Sequence, residues 1–288
     1  MVLRARPARG ASLIVVVMLA TATAPAQASS RTSVVASFYP LAWAAQQVGG
    51  DRVAVTNLTP AGAEPHDLEL TPDEIDEVLD AKLVVELGRR FQPAVEDAAA
   101  QRDGPTVELL PRGTQDPHIW LDPVRMAAIV STVQRGLTKV DPKGRAVFAR
   151  NAQRVLTELT ALEARYRTGL AHCQRSVVVS AHEAFGHLAK RYGLRQEGVA
   201  GLSPDAEPDA QRLGQLTDLV KRLGVTTIFT EELVSPRIAD TLAREAGVTT
   251  QTLNPLEGLT DRELKRGDDY VSVMDANLAK LRTALGCS

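Results

Sequence analysis

Residues 141–171, "DPKGRAVFARNAQRVLTELTALEARYRTGLA", contain no proline after Pro142. Val147, Val155, Leu159, Leu162, Tyr166 and Leu170 recur there at roughly helical spacing. A helix of about 27 residues would span about 40 Å at the usual rise. On either side of it the chain alternates between short apolar runs and amphipathic segments. "SVVASF" (33–38), "RVAVTNL" (52–58), "KLVVEL" (82–87) and "TVELL" (106–110) predict strands before the long helix. "SVVVS" (176–180), "TTIFTEE" (226–232) and "VTTQTL" (248–253) predict strands after it. The intervening segments, such as "PLAWAAQQVGG" and "DAQRLGQLTDLVKRLG", predict helices. Thr71-Pro72-Asp73-Glu74 has the makings of a capped start, with Thr71 as cap and Glu74 closing the box.

Strand–helix alternation implies parallel sheets covered by helices. The expected fold is therefore α/β: two parallel-sheet α/β lobes joined by a long rigid α-helix. The expected boundaries are an N-terminal lobe at 29–140, a linking helix at 141–171 and a C-terminal lobe at 172–288. No Gly/Ser linker separates the lobes, which argues against a wide hinge.

The first 28 residues predict a secretory signal peptide. Arg4, Arg6 and Arg9 form a basic head, an apolar run follows, and Ala26 and Ala28 stand at small-residue positions before a cut after Ala28. The run is short for a membrane span. No cysteine lies near the cut, so no lipid anchor is expected. Losing the three arginines takes the formal charge from −2 to −5. A mildly acidic periplasmic or secreted chain is a poor nucleic-acid binder. The only two cysteines, Cys173 and Cys287, lie 114 residues apart. In an oxidising compartment the simplest reading is one disulfide, with two free thiols as the alternative.

The chain has five histidines. His66 sits in "TPAGAEPHDLELTP" after the second strand, His118 in "DPHIWLDP" after the fourth, and His182 directly after "SVVVS". All three follow strands and precede helices. In parallel sheets those loops gather on one edge, where ligands bind. A single loop histidine is ordinarily solvent-exposed or hydrogen-bonded. Three at matching positions in two lobes suggest a shared metal, with zinc the first candidate. The fourth ligand should be an acid from a C-terminal loop: Glu257 in "TLNPLEGLT", or Glu231 or Glu232. Asp67, Asp116 and Glu183 adjoin the histidines and are candidates to orient their rings. His172 reads as a surface residue. "HEAFGH" places His182 and His187 five apart, about 140° around a helix, so a zinc-protease pair is excluded and His187 is expected to pack beside Phe185 or Leu188. No G-x-S-x-G or phosphate-cradling glycine loop is present.

"SFYPLAWAAQQVGGDRVAVTNLTPAGAEPHDLELTP", "DPHIWLDP", "SAHEAFGHLAKRYGL" and "LNPLEGLT" together resemble the zinc- and manganese-binding solute receptors of bacterial ABC transporters. The resemblance runs from about Ser33 to Leu285. It implies capture of Zn2+ between two lobes by His66, His118, His182 and Glu257, and delivery to a membrane permease driven by an ATPase. Manganese-type members tend to carry Glu in place of the third histidine, so His182 favours zinc over Mn2+. Where some zinc members carry an Asp ligand, this chain has Asn254. The long His- and Asp-rich loop of many zinc members is missing, so any metal-loading role it serves is either absent or done by another protein, a chaperone. The chain is expected to be a monomer and not an enzyme. The alternatives are a manganese or iron receptor of the same family and, in a different class, a secreted zinc enzyme with an open coordination position. Adhesion, to which some such receptors have been linked, gains nothing from these residues over transport.

Overall fold

The computed structural model describes residues 1–3, 31–204 and 208–288. Apart from residues 1–3, the expected signal peptide lies outside them.

Strands β1 (Thr32–Ala36), β2 (Val53–Asn57), β3 (Leu83–Glu86) and β4 (Thr106–Glu108) form one parallel sheet in the order β2-β1-β3-β4. Strands β5 (Val177–Ser180), β6 (Arg195–Gly198), β7 (Thr227–Thr230) and β8 (Thr249–Thr252) form a second in the equivalent order β6-β5-β7-β8. Helices α1 (Tyr39–Gly49), α2 (Pro72–Asp80), α3 (Pro93–Ala99) and α4 (Pro123–Val140) belong to the first sheet. The long helix is α5 (Arg145–Gly169), after a 3-10 turn at Pro142–Gly144. Helices α6 (Gly186–Arg191), α7 (Ala210–Arg222), α8 (Arg237–Ala246), α9 (Asp261–Arg266) and α10 (Tyr270–Leu285) follow. The expected two-lobed α/β architecture is the one observed.

Alternation along the strands decides which helices cover which face. Val34, Ala36, Leu83 and Val85 join the main core beneath α1, α4 and α5. Val35 and Val84 point the other way, onto Val78 of α2 and Val95 and Ala98 of α3. In the second sheet Val178 and Phe229 join the main core, while Val179 and Ile228 meet Leu216, Val220, Ala239 and Leu242 of α7 and α8. The main core is thus continuous through both lobes, and α5 is its spine. Near its start Asn151 donates to the Val48 carbonyl of α1, and near its end the Tyr166 hydroxyl donates to the Met274 carbonyl of α10.

The capping box of α2 forms as expected, with both Thr71 and Glu74 engaged. The sequence reading missed β6. Its residues Arg195, Gln196 and Glu197 are polar, and an edge strand needs few apolar side chains. The segment "EAFGHLAKRYG", amphipathic like the other intervening segments, is helical only over α6, because the chain from His182 to Phe185 turns through a loop first.

Cys173 and Cys287 are joined by a disulfide. It ties the chain just beyond α10 and its Gly286 cap back to the start of the second lobe. Among the described residues no helix is long and apolar enough to cross a membrane.

Candidate metal centre

Four loops at the C-terminal edges of the two sheets converge. His66 lies in a 3-10 turn, Pro65–Asp67, after β2, where its backbone N–H donates to Glu64 and its ring meets Phe91 edge-on. His118 opens the 3-10 turn Ile119–Leu121 after β4, and Asp122 then caps α4 by accepting from the Val124 and Arg125 N–H groups. His182 follows β5, where its carbonyl accepts from Ser180 Oγ and Gln196 Nε2. Glu257 follows β8 beyond Leu256, whose φ of 56° lies in the left-handed region.

His66, His118 and His182 each place Nε2 3.2 Å from the same atom, Glu257 Oε1. The four ligand atoms lie within 4.8 Å of one another. His118 and His182 are fully buried and Glu257 nearly so, while the His66 side chain retains 12% exposure. This is a donor set that could hold one small divalent cation: three imidazole nitrogens and one carboxylate, drawn equally from the two sheets.

The ring orientations are set from behind. His118 Nδ1 donates to Asp116 Oδ1 at 2.8 Å, and His182 Nδ1 donates to Glu231 Oε2 at 2.6 Å. Each bond leaves Nε2 to face the centre. Burial opposes charge on His118, but the hydrogen bonds to Asp116 and Glu257 outweigh it and raise its pKa. Burial likewise opposes charge on His182, yet Glu231 and Glu257 carry its pKa up to about 10. Glu257 is held well below the usual carboxylate range: burial works against its charge, but three imidazoles surround it. Burial pushes Glu64 up to about 8, helped by the Glu257 charge.

The sequence placed all four of these side chains, and the structure brings all four together. Of the other acids considered for the fourth position, Glu231 is buried behind His182, where it orients the ring, and Glu232 is exposed. Asp116 orients His118 as expected, whereas the ring bonds of the three histidines go to other acids than Glu183, whose backbone N–H donates to the Gly201 carbonyl. Asn254 stands outside the cluster in a buried network. His172 is exposed, as expected. His187 corrects the expectation of simple packing: its Nε2 donates to the Asp116 carbonyl at 3.0 Å, joining α6 to the His118 loop. Gly186 makes that approach possible, since a Cβ there would come 2.7 Å from Asp116 Oδ2. Neither the Glu231 contact nor the His187 contact has a sequence signal, because each joins residues far apart in the chain.

His66, the least buried of the four, lines a cavity of about 230 Å3 with Arg89, Phe91, Pro117 and Leu202, so the cluster is most open on that side.

The profile of the ZnuA family, described as "Zinc-uptake complex component A periplasmic", matches residues 34–284. The chain is 36% identical over 281 residues to the zinc-binding lipoprotein AdcA of Streptococcus pneumoniae, covering 89% of this chain but 56% of that protein. It thus spans about half the length of that relative. It is 35% identical over 277 residues to the high-affinity zinc uptake system protein ZnuA of Bacillus subtilis, covering 88% of this chain and 87% of that one. Among solved structures, the Zn(II)-bound ZnuA-like domain of Streptococcus pneumoniae AdcA superposes with a TM-score of 0.78 at 37% identity, covering 89% of this chain and 99% of that domain. The chain belongs to the ZnuA family of periplasmic zinc-uptake components.

Proposed function

We propose that this protein is the extracytoplasmic receptor of an ABC transporter, capturing Zn2+ between its two lobes with His66, His118, His182 and Glu257. It then hands the ion to a membrane permease coupled to an ATPase. The observation that carries this reading is the convergence of three Nε2 atoms on one buried carboxylate oxygen. Three neutral imidazoles and one carboxylate suit zinc better than manganese, which prefers oxygen donors. Four protein ligands close a tetrahedral shell and leave no position at which water is activated, which suits carriage over catalysis. Glu231 and Asp116 are occupied in orienting ligands, which leaves neither as a free general base.

The disulfide fits an oxidising compartment outside the cytoplasm. The lobe boundaries at 140 and 171, a monomeric state and loading by a separate protein belong to the same proposal. The test is a competition titration of Zn2+ against Mn2+ on the wild type and on Glu257→Ala. One tightly held zinc per chain, preferred over manganese and weakened by the substitution, is expected. Manganese preference would move the protein to the manganese-receptor class. Zinc binding unchanged in the variant would remove Glu257 from the ligand set and reopen the enzyme reading.

A further inference from the structure

We infer that Asn277 of α10, remote from the ion in sequence and not itself a ligand, is the positioning residue that holds Glu257 in its coordinating geometry. The inference rests on the ligand set proposed above.

Beyond β8 the chain leaves its sheet: the Leu253 N–H still donates to the Thr230 carbonyl, but the next residues have no neighbouring strand. Asn277 replaces that strand. Its Oδ1 accepts from the Asn254 N–H at 3.0 Å, and its Nδ2 donates to the Asn254 carbonyl at 2.6 Å. One amide side chain thus satisfies both backbone groups of residue 254, as a β-partner would. Asn277 is fully buried, so these backbone groups have no water to fall back on.

The order passes on through Asn254. Its Oδ1 accepts from the Leu256 N–H at 2.7 Å, a local turn closed two residues along the chain, and its Nδ2 donates to Glu263 at 3.0 Å. That turn carries Leu256 into the left-handed region, which a leucine rarely adopts. Only because of it does the next residue, Glu257, point inward. Such a conformation persists where its surroundings over-determine it. Here Asn277 and Glu263 hold the turn from the second lobe. Trp120 holds it from the first, its Nε1 donating to the Pro255 carbonyl at 2.8 Å. Remove the Asn277 amide and the backbone at 254 loses both bonds. The Asn254, Glu263 and Trp120 bonds to the turn remain, but with its base unanchored Leu256 can relax toward negative φ and carry Glu257 away from the three imidazoles.

The prediction concerns coordination number as well as affinity, so it separates positioning from mere stabilisation. Co2+ substituted for zinc absorbs strongly in the visible when four-coordinate and weakly when water raises the number to five or six. Spectra and zinc competition titrations would be taken on the wild type, Glu257→Ala, Asn277→Ala and Asn254→Ala, with thermal melts of each metal-free protein. The expected result is a strong band in the wild type and a weakened one in Glu257→Ala. Both asparagine variants should move toward the Glu257→Ala spectrum and lose about 10- to 100-fold in zinc affinity, the range typical for groups that support metal ligands. Asn254→Ala leaves the Asn277 bonds to the backbone available, and keeps the test open should Asn277→Ala fail to fold. A lowered melting temperature with the wild-type band and affinity retained would overturn the inference and leave the ligand set standing. Absence of the strong band in the wild type would overturn the ligand set itself, and the inference with it.

Discussion

His182 Nδ1 donates to Glu231 Oε2 across 2.6 Å, and neither side chain touches solvent. The same carboxylate accepts from the His182 N–H through its other oxygen at 3.1 Å. One buried acid therefore fixes both the ring and the backbone of a histidine whose other ring nitrogen faces Glu257.

Glu231→Ala should lower zinc affinity about 10- to 100-fold, because the imidazole loses the partner that fixes its tautomer and raises its basicity. Glu231→Gln keeps an acceptor for Nδ1 and should lose less. Competition titration against a chelator of known affinity gives both numbers. Equal affinity in all three proteins would show that Glu231 contributes nothing to binding.

His118→Ala removes one of the four proposed ligands. It should cost at least about tenfold in zinc affinity, ~1.4 kcal/mol, while the far-ultraviolet circular dichroism stays that of a folded α/β chain. A variant that binds zinc as tightly as the wild type would exclude His118 from the shell.

Glu86 should make the stability of the metal-free fold pH-dependent. It ends β3 opposite Glu108, is 5% exposed, and its Oε2 has no hydrogen-bond partner. Burial first, then the charges of Glu96 and Glu108, push its pKa from 4.5 up to about 7. The folded protein thus binds this proton more tightly than the unfolded chain, and stability falls as pH rises between those values. Glu86→Gln should stabilise the protein by roughly 1–2 kcal/mol at pH 8, allowing for relaxation of the site, and leave it unchanged at pH 4. Urea melts of both proteins at the two pH values decide it; a gain of the same size at both would point to packing, not ionisation.

The disulfide closes a loop of 114 residues in the sequence. Chain entropy alone assigns such a closure about 4–5 kcal/mol, and measured values are often smaller. Cys173→Ser/Cys287→Ser should melt at lower denaturant concentration than the wild type, and neither thiol of the native protein should react with alkylating reagents before reduction. Mass spectrometry of the alkylated protein reads the second outcome directly.

The parts of this protein legible in its sequence are those whose causes lie within a few residues. Short apolar runs mark β1 to β5, β7 and β8, and helical spacing marks α5. The Thr71–Glu74 pair marks the start of α2, and the position of each histidine just beyond a strand marks the edge on which it emerges. Once all strands run parallel, that edge is common to all of them, so His66, His118 and His182 could be grouped before any coordinates existed. Only the tertiary structure decided the rest. The strand pattern left Glu257, Glu231 and Glu232 open and only the resemblance pointed to Glu257; the structure sets Glu257 against the three imidazoles and Glu231 behind one of them. It found β6, whose polar residues form a strand only because β5 offers an edge to pair with. It also joined Asn277 to Asn254 and His187 to Asp116. Those are contacts between groups distant along the chain. They depend on where whole helices and sheets come to rest, and no local pattern of residues encodes that.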